Sequence, residues 1–187
     1  MSVKFQYTPS AYKAGKTYAE IPNVAEADFS FSRASGARRV NEDGFIELMG
    51  DNVPRLDYTD GGCPVLLTEP QAENLIEYSE DFSQSYWSLQ FITVGVGGQN
   101  PSATGNMQKI IPSTVSNSHR LFKTLTVPSG DWVQSIFVRE SGYRYFRIGS
   151  SVTFADFDLQ TKQVINGVGE IEELPNGILR LGVFGSY

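Results

Sequence analysis

One histidine and one cysteine occur in this chain of 187 residues, so the side chains able to do chemistry are few. A serine–histidine–acid relay would have to use His119, and a lone histidine at the start of a strand reads as structural. Cys63 stands between Gly62 and Pro64 with no basic neighbour to lower its thiol pKa. A single cysteine cannot close an intrachain disulfide, and zinc sites need several Cys and His ligands. Glu170, Glu172 and Glu173 are the densest carboxylates. Glycoside hydrolysis needs two acids about 5 to 10 Å apart across a cleft, whereas neighbouring strand residues such as Glu172 and Glu173 point to opposite faces. Asp57, Asp60 and Glu69, around a glycine-rich turn, are the best calcium donors, but Ca²⁺ takes at least about six oxygens and the spacing lacks that density. They read as a solvated turn. Gly95, Gly97 and Gly98 lack the lysine and helix of a phosphate loop and also read as a turn. The sequence therefore predicts no catalytic residue, no metal and no cofactor.

Aromatic residues offer binding chemistry instead. Trp87, Trp132, Tyr143, Tyr145 and Phe146 could stack against sugar rings, since flat side chains bury apolar pyranose faces at little entropic cost. Both tryptophans read as core or interface residues. Tyr143 and Tyr145, beside Arg144 and Arg147 after the Ser141-Gly142 turn, are the ligand-binding candidates. The 15 Lys and Arg against 21 Asp and Glu give a net charge of −6, and without clustered cations a nucleic-acid backbone is not a partner. No apolar run approaches the ~20 residues of a membrane-spanning helix. The first residues lack the basic and apolar regions of a signal peptide, so secretion by that route is not expected.

The elements that must position these residues are short strands. Eighteen glycines, nine prolines, nine tyrosines and twelve phenylalanines tilt the composition towards strands and turns with very little helix. Strands are expected at 3–7, 17–21 and 28–32, then in a hairpin of 38–40 with 45–48 across the Asp43-Gly44 turn. Prolines at 54, 64 and 70 make 50–70 a meandering extended stretch whose backbone groups must be satisfied by the following domain or a neighbouring chain. Ser79 could cap one helical turn at 80–82. Nine strands follow, at 87–94, 107–111, 119–127, 131–139, 144–149, 152–159, 163–165, 170–174 and 178–184, and their spacing implies an antiparallel β-sandwich or jelly roll. Alternation places Leu179, Leu181 and Val183 in the core, joined by Leu121, Leu125, Ile136, Phe157 and Leu159. Between 152 and 159 the phase changes, which a bulge near Ala155-Asp156 would reconcile. The organisation expected is an extended N-terminal arm, 1–75, and a β-sandwich, 76–187.

The wording of the first half is distinctive. Pro9-Ser10-Ala11-Tyr12-Lys13, Phe29-Ser30-Phe31-Ser32-Arg33-Ala34-Ser35, Arg39-Val40-Asn41 with Gly44-Phe45-Ile46-Glu47, and Asn52-Val53-Pro54-Arg55-Leu56-Asp57-Tyr58 come in order. Cys63-Pro64, Glu69-Pro70-Gln71, Asn74-Leu75-Ile76, Tyr78-Ser79-Glu80-Asp81-Phe82 and Tyr86-Trp87 follow. This series resembles a leader of phage virion proteins, namely head fibres and tail fibres or spikes, in which it precedes a jelly-roll module resembling carbohydrate-binding modules. Phe157-Asp158-Leu159, Thr161 and the Pro175-Asn176-Gly177 turn resemble later strands of that module. Related modules continue beyond the counterpart of Tyr187, so the resemblance implies either completion by another subunit or a longer chain.

The resemblance implies a structural virion protein, assembled in the host cytoplasm and joined through its arm to capsid or tail proteins. It also implies a homotrimer, and the small apolar groups of the arm, Phe29 with Phe31 and Val65-Leu66-Leu67, are the expected oligomer or anchor contacts. Two other readings compete. One is a receptor-binding module for host surface glycans, and the other is a capsule-degrading enzyme, which no catalytic motif supports.

Overall fold

The computed structural model describes residues 11–13, 16–18, 29–59, 62, 64–69, 72–174 and 176–186. Those residues form strands and turns, with no helix among them. The chain divides into two compact units, one of residues 1–70 with 174–177 and one of 71–173 with 178–187. The strand expected at 3–7 lies outside the described residues.

The first unit begins with three short strands, β1 (Ala11–Lys13), β2 (Lys16–Tyr18) and β3 (Phe29–Ser30), in an antiparallel sheet of that order. Next comes the expected hairpin, β4 (Ala37–Val40) against β5 (Ile46–Met49), with Val40 opposite Ile46. Its loop is tied by Asn41, whose Oδ1 accepts the amides of Asp43 at 3.1 Å and Phe45 at 2.9 Å. Asn41 is thus an asparagine doing the turn-stabilising work for which its short amide suits it. The unit closes with β6 (Leu56–Asp57) paired to β7 (Val65–Leu66).

The second unit opens with turns at 77–80 and 82–83 where one helical turn was expected. Asp81 explains the difference. Its carboxylate turns forward onto the amide of Ser83 at 3.0 Å and the hydroxyl at 2.6 Å, an Asx-type turn that competes with helical bonding. The single strand expected at 87–94 is two strands, β8 (Ser88–Gln90) and β9 (Ile92–Gln99), separated by Phe91 at φ 55°. That left-handed residue, rare for a bulky side chain, redirects the chain. As a result β9 pairs with β10 (Asn106–Pro112), while β8 pairs with β11 (Arg120–Phe122).

Gly97 and Gly98, expected in a turn, lie inside β9, and the turn falls at 101–105. A Cβ at Gly97 would sit 2.9 Å from the Met107 carbonyl oxygen, beside the register shift between Asn106 and Gln108. The glycine serves close backbone approach at a bulge. The strand expected over 119–127 ends at Phe122 because β8 offers only three residues to pair with. Leu125 is consequently 36% exposed and Leu121 only half-buried, so neither belongs to the core that alternation assigned them.

The remaining strands form two three-stranded antiparallel sheets. One has β12 (Asp131–Val138), β17 (Leu179–Ser186) and β16 (Gly169–Glu173) in that order, and the other has β13 (Tyr145–Gly149), β14 (Phe154–Asp158) and β15 (Gln163–Gly167). Both contribute to one apolar cluster of Val138, Ile148, Ala155, Phe157, Leu159, Leu179, Leu181 and Val183, with Ile136, Phe146 and Ile171 packed against it. Ala155 and Phe157 in β14 and Leu159 just beyond it are buried in one alternation. The expected irregularity is present between Asp156 and Phe157, but the extra residue is Ile165 on β15.

Candidate functional site

The Tyr143–Arg147 segment feeds β13 from the Ser141-Gly142 turn, and Phe146 and Ile148 face the core. Alternation therefore turns Tyr145 and Arg147 to the opposite face. Tyr143 and Tyr145 are 62% and 63% exposed, whereas the two arginines are committed to carboxylates of the neighbouring strand. Arg144 grips Asp158 through Nε, 2.9 Å from both carboxylate oxygens, and through Nη2, 2.6 Å from Oδ2. Arg147 donates from Nε to Asp156 Oδ1 at 2.5 Å and from Nη2 to Oδ2 at 2.7 Å. Such two-point guanidinium–carboxylate pairs are the strongest and most directional of their kind. Their planes also stack, Arg144 over Tyr145 at 5.3 Å and Arg147 over Phe154 at 4.2 Å.

These partners set the electrostatics. Asp158 also accepts the amides of Gln160 and Thr161, closing the turn into β15. The hydrogen bond from Arg144 comes first in holding its carboxyl well below the usual carboxylate range, against an opposing desolvation. Asp156 is lowered chiefly by Arg147, with Asn166 Nδ2 adding a bond at 3.0 Å. Both arginines are raised by the same contacts, Arg144 by Asp158 and Arg147 by Asp156.

The other candidates belong to other elements. Val65 is exposed, while Phe31, Leu66 and Leu67 are half-buried in the first unit; Phe29 begins the two-residue β3, and its side chain is outside the described residues. Trp87 donates from Nε1 to the Tyr78 carbonyl at 3.0 Å and packs edge-on to Phe82 and Tyr86. Trp132 lies opposite Gly185 in the β12–β17 ladder. Glu172 pairs with Arg180 at 3.2 Å and Glu173 with Lys162 at 2.6 Å, so each carboxylate has its own cation. His119 Nε2 lies 3.5 Å from the Ser113 hydroxyl, at the outer limit of a hydrogen bond. Of the calcium candidates, Asp57 and Glu69 are engaged elsewhere in the first unit, and Asp60 and also Cys63 lie outside the described residues. No cluster of three or more His, Cys, Asp or Glu suited to a metal occurs among the described residues.

The residues that sequence reasoning passed over are the arginines of the first unit. Arg33 donates to the carbonyls of Ser35 at 2.7 Å and Gly50 at 2.6 Å, and its backbone exchanges bonds with Asn52. Arg39 reaches Glu47 and the Leu56 carbonyl at 2.8 Å, and Arg55 reaches Glu69 and the Arg38 carbonyl. Asp57 is buried. It accepts the Val40 amide at 2.8 Å and both the amide and hydroxyl of Thr59. Burial opposes its ionisation, yet the Thr59 and Val40 bonds and the Arg55 charge prevail and hold it below the ordinary value. The 50–70 stretch, expected to depend on other domains or chains, is therefore supplied in part, among its described residues, from within the first unit. The legible signal was a donor deficit at prolines beside residues carrying five donors each.

No protein-family model, no curated protein and no solved structure matches the chain.

Proposed function

We propose that the chain is a structural subunit of a phage virion, a fibre or fibre-base protein whose first unit joins it to capsid or tail proteins as a trimer. In this reading the second unit is a sandwich of jelly-roll type, turned towards the host surface. What carries the reading is the ordered set of leader-like motifs between Pro9 and Trp87. The use of three of them is in keeping with a structural role: Arg33, Arg39 and Arg55, one from each motif, hold backbone carbonyls of the first unit rather than a ligand. The test is the location of the protein during infection. It is expected to co-sediment with purified particles, and antibodies to residues 76–187 should decorate projections from them. Recovery solely in the soluble fraction, with undecorated particles, overturns the proposal.

A second reading, recognition of a host-surface glycan, is favoured by one observation. Tyr143 and Tyr145 stay exposed beside a network of paired guanidinium and carboxylate groups, the mixture of flat apolar and planar polar surface that sugars use.

A further inference from the structure

The outer face of the β13–β14–β15 sheet is laid out in rows. Arg147 stands opposite Asp156, and Asp156 opposite Asn166; one row away, about 7 Å along the strands, Tyr145 stands opposite Asp158 and Asp158 opposite Gln163. The first row is joined by hydrogen bonds from one strand to the next, Arg147 to Asp156 and Asn166 to Asp156. Asp156 thus fixes the orientation of a guanidinium and an amide that both remain exposed. Arg147 Nη1 and Asn166 Oδ1 take no part in those bonds, which leaves a donor and an acceptor on exposed side chains of the face that also carries the exposed Tyr145.

Charge selects the occupant. Each guanidinium on this face faces a carboxylate that stays ionised, Arg144 with Asp158 and Arg147 with Asp156. The rows therefore present no uncompensated cation to a sialic or uronic acid, and no uncompensated anion to an amine. Their remaining hydrogen-bonding groups suit vicinal hydroxyls, and the exposed Tyr145 ring suits an apolar pyranose face.

We propose that this face, with Tyr145, Arg147 and Asn166 as contacts and Asp156 as the positioning residue, is a subsite for neutral hexose units of a surface polysaccharide. The inference rests on the second reading above and adds to it a place and a sugar class. Binding of the full chain would be measured on an array with neutral hexose oligosaccharides in one arm and sialylated, uronic-acid and phosphorylated ones in the other. The parent should bind the neutral arm. Tyr145→Ala and Asn166→Ala should each weaken that binding by about tenfold or more, while Tyr145→Phe keeps most of it. Asp156→Asn leaves Arg147 uncompensated and should shift preference towards carboxylated sugars. Melting curves identify any variant that has lost its fold.

Parent binding that survives both Tyr145→Ala and Asn166→Ala overturns the subsite and leaves glycan recognition standing. Parent preference for acidic sugars overturns the sugar class. Absence of binding to either arm overturns glycan recognition itself, and this inference with it.

Discussion

Asp57 shows how one side chain can organise a stretch with little regular structure. Its two oxygens receive the Val40 amide from β4 and both donors of Thr59, so it joins the hairpin to β6, the short strand that follows Pro54. Asp57→Ala leaves the buried Val40 amide without its acceptor, and an unfolding titration in urea should show a loss of ~1–3 kcal/mol. The effect on pH follows from the same bonds. Asp57, Asp81, Asp156 and Asp158 all titrate below their ordinary value in the folded chain. As pH falls, the unfolded chain takes up protons first, near pH ~4, so the stabilisation from these groups is complete above that pH and is lost as pH drops through the folded values. Thermal melts should be level from about pH 7 to pH 5 and decline below about pH 4. A variant carrying both Asp57→Asn and Asp158→Asn should be less stable at neutrality and show a shallower decline.

Among the elements, β14 is the central strand on which one sheet of the second unit depends. Its first residues are threaded between two glycines at the ends of the flanking strands, Gly149 at φ 126° and Gly167 at φ 80°. A Cβ would lie 2.3 Å from the Thr153 oxygen at the first and 2.1 Å from the Phe154 oxygen at the second. Gly167→Ala therefore meets both an unfavourable φ and a backbone clash, and should cost more than about 1 kcal/mol in chemical denaturation. On the other three-stranded sheet, Leu181 is fully buried between Ile136 and Ile171 in the ladder. Leu181→Ala should cost ~2–5 kcal/mol by the same measurement, and an unchanged melting temperature would contradict its place in the core.

At the scale of the whole molecule, the described residues of the first unit form short strands and leave exposed apolar side chains at Leu48 and Val65. Ordering such a segment costs conformational entropy that apolar burial must offset. Under the proposed function, neighbouring copies supply the missing burial. Light scattering on the purified chain is expected to give the mass of three copies, and limited proteolysis should spare residues 1–75 only in that assembly. A monodisperse monomer with equally resistant units would refute the trimer.

What the sequence determined by itself was what local chemistry controls. The hairpin around Asn41 and Gly44 follows from turn residues, and the burial of Leu179, Leu181 and Val183 follows from strict alternation, because a period of two leaves one face for the core. Tyr143 and Tyr145 could likewise be read as exposed from the turn before them. Partnership was not legible in the same way. Whether 87–94 is one strand or two depended on Phe91 adopting a left-handed φ, and whether Leu125 is buried depended on how far β8 extends. The carboxylate partners of Arg144 and Arg147 were hidden because they lie 9 to 14 residues away in sequence and only the pairing of β13 with β14 brings them together. The arginine bonds of the first unit were hidden for the same reason: a backbone carbonyl has no identity in the sequence, and which donor reaches it is decided when the chain folds back on itself.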